Sequence, residues 1–365
     1  MISCAIKKTA ALLSLTLATL NLSAELKPVA LDSEQIVVKG AKYVSREAKQ
    51  IEPLRFSKEL LELGGATLNF NPDVARMASG VRMLFCTDSS EIQLNLRLKP
   101  FRRPKAATVQ VYRDGELLKS FDFRREREDN PVAMALMNPD DHAHRYRVDL
   151  PSTAETVITG LFIDAESKLL PVVLESKPVY VALGDSITHG SAALDGISAL
   201  SYPALLGERL GFDVYNLGVG GSRVSVKGGE MLADWDRIDL MTLLIGANDF
   251  SWAAVPPDRY RRNYETLLNT IRRIHPKVPL YCITLTYTTR AKGDSGHATE
   301  DYRQVVREVV EDAQKAGDEH LFLLEGDELT GPEDLADWVH LNAKGNRRFA
   351  AKLYKRIMAT PRFYR

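Results

Sequence analysis

The stretch Val181-Ala182-Leu183-Gly184-Asp185-Ser186-Ile187-Thr188-His189-Gly190 decides how this chain is read, because it sets one hydroxyl at the end of an apolar run. The run from Val179 to Leu183 is entered through Pro178 and stopped by Gly184, which predicts the first strand of a parallel α/β sheet. Ligands bind such sheets at the carboxyl ends of strands, where Ser186 falls. A Ser hydroxyl alone is a weak nucleophile, so a catalytic Ser186 needs a base, an orienting carboxylate and donors for a developing oxyanion. Without them, Gly184-Asp185-Ser186 is an ordinary turn after a strand.

Downstream of Pro178 the sequence alternates between strand and helix. Strand-like runs at Val179 to Leu183, Asp213 to Leu217, Leu240 to Ile245, Leu280 to Leu285 and Leu321 to Leu324 are separated by helix-like runs. The helices read as Tyr202 to Leu210, Asp258 to Ile274, Glu300 to Ala316 and Ala343 to Met358. In the second, Tyr260, Tyr264, Leu267, Leu268, Ile271 and Ile274 recur at helical spacing and form one apolar face. This rhythm predicts a parallel, three-layer α/β domain over 178–365.

Upstream the period changes to two. Glu91 to Leu98, Ala107 to Tyr112, Tyr146 to Leu150 and Val157 to Ile163 read as half-buried strands. Turn signals such as Arg113-Asp114-Gly115 and Asn138-Pro139-Asp140-Asp141 separate them, so 31–177 is expected to be an antiparallel β-sandwich. The mixed-sign run Arg124 to Asp129 reads as a solvated loop.

The 365 residues are 45% hydrophobic and 26% charged, enough for two cores. Lys7-Lys8, an apolar segment from Ala10 to Leu20 and the small and polar residues up to Ala24 read as a secretory signal peptide over 1–24. The segment is shorter than the about 20 apolar residues of a membrane span and is broken by Ser14, Thr16 and Thr19. No membrane span is expected once it is cleaved, and the protein is expected to be secreted or periplasmic. Lys+Arg and Asp+Glu both count 48, and loss of Lys7 and Lys8 leaves a formal net charge of −2. That balance gives no signal for a nucleic-acid partner. Cys4 falls in the leader, and Cys86 and Cys282 lie in strand-like runs of different expected domains, so they read as free thiols.

Three further blocks sit where the missing chemistry would have to come from. Asn216-Leu217-Gly218-Val219-Gly220-Gly221-Ser222-Arg223 follows the second strand, and its glycines allow backbone N–H groups to approach a ligand. It lacks the G-x-G-x-x-G spacing of a nucleotide loop. Leu244-Ile245-Gly246-Ala247-Asn248-Asp249-Phe250 follows the third strand, and Asn248 offers an amide donor. Asp337-Trp338-Val339-His340 precedes the last helix; the two titratable side chains, three apart, can face each other and leave Nε2 free as a base. Each block alone reads equally as turn chemistry.

In this order the four blocks resemble the SGNH, or GDSL, hydrolase superfamily, from about Val179 to the end of the chain. The resemblance implies a flavodoxin-like sheet. It also implies Ser186 as nucleophile, His340 as general base and acid, Asp337 as the residue orienting His340, and an oxyanion hole from Ser186 N–H, Gly221 N–H and the Asn248 side chain. The alignment leaves Gly220 as a competitor for Gly221. An α/β-hydrolase elbow, G-x-S-x-G, fits less well because Thr188 stands at its second glycine. A sandwich in front of such a domain, including Ser79 to Ser89, resembles the two-domain carbohydrate esterases and gives a jelly-roll-like expectation for that part.

The expected function is a serine esterase hydrolysing O-acyl, above all O-acetyl, esters on a carbohydrate, so the expected partner is an acylated carbohydrate. The alternatives are a lipase, arylesterase or thioesterase of the same type, and a glycan-binding protein with an inactive domain. No cofactor is expected; the seven His are scattered, with no H-E-x-x-H and no Cys/His cluster to suggest a metal. Trp252, Tyr287 and Trp338 lie near these blocks and could stack on sugar rings or pack in the core.

Overall fold

The computed structural model describes residues 25–100, 106–123, 130–138, 140, 142–190 and 193–360. The expected leader and the charge run Arg124 to Asp129 lie outside these residues. The amino-terminal part contains two six-stranded sheets whose strands pair antiparallel. One runs Tyr43–Glu47, Gln50–Leu54, Ala154–Asp164, Glu91–Pro100, Asn130–Met137, with Leu26–Pro28 also on Ala154–Asp164. The other runs Leu169–Leu170, Arg82–Thr87, His144–Asp149, Thr108–Arg113, Glu116–Asp122, with Val37–Lys39 on Arg82–Thr87.

The period of two decides which side chains meet between these sheets. Ile92, Leu94, Leu96 and Leu98 are buried, and the first three stand opposite apolar partners, Ile92 facing Leu136, Leu94 facing Met134 and Leu96 facing Val132. They share a core with Val109, Val111, Tyr146 and Val148 of the second sheet, so the two sheets pack face to face as a sandwich.

In the carboxyl-terminal part, five strands form one parallel sheet: β1 Val179–Gly184, β2 Asp213–Gly218, β3 Leu240–Leu244, β4 Leu280–Ile283 and β5 Leu321–Leu324. Their order is β2-β1-β3-β4-β5, the flavodoxin-like arrangement. Helices α1 Tyr202–Leu210 and α4 Ala343–Met358 cover one face, packing Tyr202, Leu206, Phe349 and Leu353 on Tyr180, Ala182, Leu240 and Leu244. Helices α2 Pro257–Ile274 and α3 Thr299–Lys315 cover the other. There Tyr260, Tyr264, Leu267, Tyr302 and Val306 meet Val181, Leu183, Met241 and Leu243. Alternate residues of β1 thus serve two cores, which is why the strand reads as a continuous apolar run.

The chain between Arg55 and Met77 is not part of the alternating-strand pattern. It makes three short helices, Lys58–Glu62, Gly65–Leu68 and Pro72–Ala75. Phe56, Leu61, Leu68, Phe70, Val74, Ala75 and Met77 belong to the α/β core on the side of α2. The amino-terminal part therefore contributes a piece of the other core. Cys86 and Cys282 are free.

Candidate active site

All four blocks lie beyond the carboxyl ends of parallel strands or at the entry to α4. Ser186 opens a single helical turn, Ser186–His189, directly after β1, with Asp185 as its N-cap accepting the Ile187 N–H at 3.0 Å. Gly184 is needed at the strand end because a Cβ there would lie 2.2 Å from Thr188 Oγ1 and 2.4 Å from the Leu244 carbonyl. Ser186 is half-buried within a run whose neighbours are buried, which leaves its hydroxyl as the accessible point.

His340 and Asp337 sit in the loop before α4, whose N-cap Asn342 accepts the Gly345 N–H at 2.8 Å. His340 Nε2 is 2.8 Å from Ser186 Oγ, and His340 Nδ1 is 2.7 Å from Asp337 Oδ2. Asp337 Oδ1 accepts the backbone N–H groups of Val339 and His340 at 2.9 and 2.8 Å. Burial opposes ionisation of Asp337, but these N–H groups and the His340 ring outweigh it and hold the carboxyl below its ordinary value. An ionised carboxylate only accepts, so Nδ1 carries the ring proton and Nε2 accepts from Ser186 Oγ–H.

The glycine loop after β2 separates its two candidate donors. The Gly220 N–H points to His189 Nδ1 at 3.4 Å, while His189 Nε2 lies 2.6 Å from the Ser152 carbonyl. A carbonyl only accepts, so Nε2–H is the donor and Nδ1 is left as the acceptor of a neutral ring. Gly221 has φ +81°, a conformation suited to glycine, and an added Cβ would meet open space. The N–H groups of Ser186 and Gly221 have no partner among the described residues. Asn248 belongs to the short helix Ala247–Ser251 after β3; its Nδ2 donates to the Ser222 carbonyl at 2.9 Å, and its Oδ1 accepts from Trp252 Nε1 at 2.8 Å.

Three charged groups beside these loops were not singled out from the sequence. Burial pushes Asp185 up to about 6, against the Ile187 N–H, and burial pushes Asp249 up to about 7, against the Val224 N–H. One oxygen of each is buried with no hydrogen-bond partner among the described residues. Arg55 is 1% exposed, and its guanidinium donates to the carbonyls of Met77, Val74, Ala75, Asn216 and Gly218. Burial pushes its pKa down to about 9. Both Asp residues follow motif residues, yet only the fold reveals their burial; nothing in the sequence marks Arg55. Of the aromatic candidates, Trp252 and Trp338 are exposed and Tyr287 is half-buried.

Among the described residues no helix is long and apolar enough to cross a membrane. Residues 182–348 match the GDSL-like lipase/acylhydrolase family. No protein of curated function matches the sequence. Among solved structures, a salicylyl-acyltransferase from a tetracycline biosynthetic pathway is 22% identical, with 92% of this chain and 97% of that one covered and a TM-score of 0.76. A family two carbohydrate esterase from Cellvibrio japonicus is 16% identical, with 94% and 100% covered and a TM-score of 0.68. An acetyl xylan esterase from the rumen bacterium Butyrivibrio proteoclasticus is 13% identical, with 94% and 100% covered and a TM-score of 0.63. At these identities the likeness is one of fold, and it extends over both parts of the chain. Residues 182–348 are thus a GDSL-like lipase/acylhydrolase domain, carried behind an amino-terminal β-sandwich.

Proposed function

We propose that the protein is a secreted serine esterase that removes O-acyl groups, above all O-acetyl groups, from a carbohydrate. The observation that carries the reading is the unbroken hydrogen-bonded chain from Asp337 through His340 to Ser186 Oγ. In this reading 1–24 is a leader, 31–177 a sandwich domain and 178–365 the catalytic domain. His340 Nε2 takes the Ser186 proton as Oγ attacks the ester carbonyl, and Asp337 stabilises the resulting imidazolium. The Ser186 and Gly221 N–H groups and an Asn248 Nδ2–H receive the oxyanion. Gly221 is preferred to Gly220 because the Gly220 N–H is turned toward His189. Collapse of the intermediate expels the sugar alcohol, which takes the proton from His340. Water, deprotonated by the same nitrogen, then splits the acyl-enzyme into acid and free Ser186. The cycle is complete without a metal or cofactor.

The choice of substrate rests on what surrounds this chain. A cavity of about 450 Å³ adjoins the glycine loop, and Asn69, Asn71, Gly220, Gly221, Arg223 and Trp252 are among its walls. Phe70, Pro72 and Val74 complete a wall of mixed character, in which polar groups beside one exposed indole can take a sugar ring. Two of the fold relatives named above are a family two carbohydrate esterase and an acetyl xylan esterase. A fluorophosphonate probe should label the protein and fail to label Ser186→Ala, and the protein should release acetate from at least one of a panel of acetylated polysaccharides. Undiminished labelling of Ser186→Ala would overturn the nucleophile, and aryl ester hydrolysis with no acetate release from any polysaccharide would overturn the substrate class.

A further inference from the structure

We propose that Trp252 is a positioning residue: its indole N–H fixes the orientation of the Asn248 amide, and so decides whether Asn248 presents a hydrogen or a lone pair to the ester oxygen. The inference rests on the reading of Asn248 as an oxyanion donor. The chemistry of the two partners leaves one assignment. An indole N–H only donates, so the atom 2.8 Å from Trp252 Nε1 is Oδ1. The Ser222 carbonyl only accepts, so the atom 2.9 Å from it is Nδ2. One Nδ2 hydrogen is used on Ser222 and the second remains for substrate. Turning the amide over would set Nδ2–H against the indole N–H and Oδ1 against the Ser222 carbonyl, losing both bonds at once.

The placement of Trp252 is what such a function needs. It follows the helical turn Ala247–Ser251 as its C-cap, four residues after Asn248, so the two side chains lie on one side of that turn. The chain beyond it is tied back, Ala253 N–H to the Asn248 carbonyl at 3.1 Å and Val255 N–H to the Asp249 carbonyl at 3.1 Å. Ala254, between them, has φ +47°. The ring is nevertheless 55% exposed and forms part of the cavity wall beside Gly221. Burial of apolar surface does not account for a tryptophan held here; a phenyl ring would offer a sugar an aromatic face as well, and what the indole adds is its N–H on Asn248.

Trp252→Phe keeps a ring at the wall and removes the donor. With an aryl acetate, kcat should fall about 10- to 100-fold, part of the about 10²- to 10³-fold expected for Asn248→Ala, with KM and thermal stability little changed. In an Asn248→Ala background the same substitution should leave kcat unchanged, because there is no amide left to orient. An unchanged kcat in Trp252→Phe, a raised KM with kcat intact, or an equal loss of kcat in both backgrounds would overturn the proposal. If Asn248→Ala itself keeps full kcat, the oxyanion reading of Asn248 falls first, and that result separates the two failures.

Discussion

Asp337→Asn is the sharpest test of the proposed base, because the structure fixes which way the new amide must face. Asp337 Oδ1 accepts two backbone N–H groups, those of Val339 and His340, whereas Oδ2 accepts only His340 Nδ1. An asparagine keeps its single carbonyl on the two N–H groups and turns its NH₂ toward the imidazole. His340 Nδ1 then has to accept, which moves the ring proton to Nε2, facing Ser186 Oγ. That nitrogen cannot take the Ser186 proton. Restoring the working tautomer costs about 1 kcal/mol for the lost amide bond. The imidazolium also loses a counter-charge worth about 3 kcal/mol at an effective dielectric near 20. The Asp337 side chain is 45% exposed, so solvent screening sets the net loss below that of a fully enclosed triad. The expected fall in kcat is about 10³-fold, against about 10⁴-fold for the corresponding change in an enclosed site. Initial rates on an aryl acetate, with thermal unfolding as a control for folding, measure it. A loss of less than about tenfold with the fold intact would refute the tautomer argument.

Three further outcomes follow from groups around the site. Arg55→Met removes every donor from five carbonyls at a buried position, so the protein should lose about 4 kcal/mol and on the order of 10 °C in Tm; an unchanged melting curve would show that water replaces the guanidinium freely. Asp249, pushed by burial from 3.8 up to about 7, keeps in the folded state a proton that the unfolded chain releases, so it lowers stability as pH rises through that window. Asp249→Asn should flatten that decline and gain at most about 4 kcal/mol over the parent above the window, read from urea unfolding at low and neutral pH; parallel pH profiles would contradict the buried-acid account. Acetyl esters should be better substrates than chains of about eight carbons, since each buried methylene needs apolar surface worth about 0.8 kcal/mol. A higher kcat/KM for octanoate would move the function to the lipase alternative.

How much of this was legible depended on whether a residue's role is set locally. α1 and α4 have the bounds expected from the sequence because Gly211 and Asn342 mark an end and a beginning that no distant contact alters. β1 is equally local, an apolar run between Pro178 and Gly184. The helical segment Lys58–Ala75 was not legible. Its helices are four or five residues long, too short to show a period, and Phe56, Leu68 and Phe70 are buried by a sheet more than a hundred residues away. The four blocks put Ser186, Gly221, Asn248 and the Asp337/His340 pair after strands or ahead of a helix, yet that His340 reaches Ser186 and Asn248 reaches the Ser222 carbonyl depends on the strand order, which sequence spacing does not encode. The upward pKa shifts of Asp185 and Asp249 were hidden for the same reason. A carboxylate in a turn motif is ordinarily solvated, and only the packing around these two removes the water.

The same packing explains why the sandwich is more than an appendage. The segments that carry Ser186 and Gly221 leave backbone carbonyls that the amino-terminal part satisfies. Arg55 donates to the Asn216 and Gly218 carbonyls at 2.8 and 2.7 Å, Ser79 Oγ to the His189 carbonyl at 2.6 Å, and Ser152 Oγ to the Gly190 carbonyl at 3.2 Å. The Ser152 carbonyl in turn accepts from His189 Nε2, whose other nitrogen takes the Gly220 N–H. Oxyanion donors act by already pointing at the place where charge develops, so any freedom in the loop is subtracted from their effect. Bonds on the back of the glycine loop therefore act on its front. They hold the Gly220 N–H on His189 and leave that of Gly221 without a partner among the described residues, which makes the sandwich an outer support of the site proposed at Ser186.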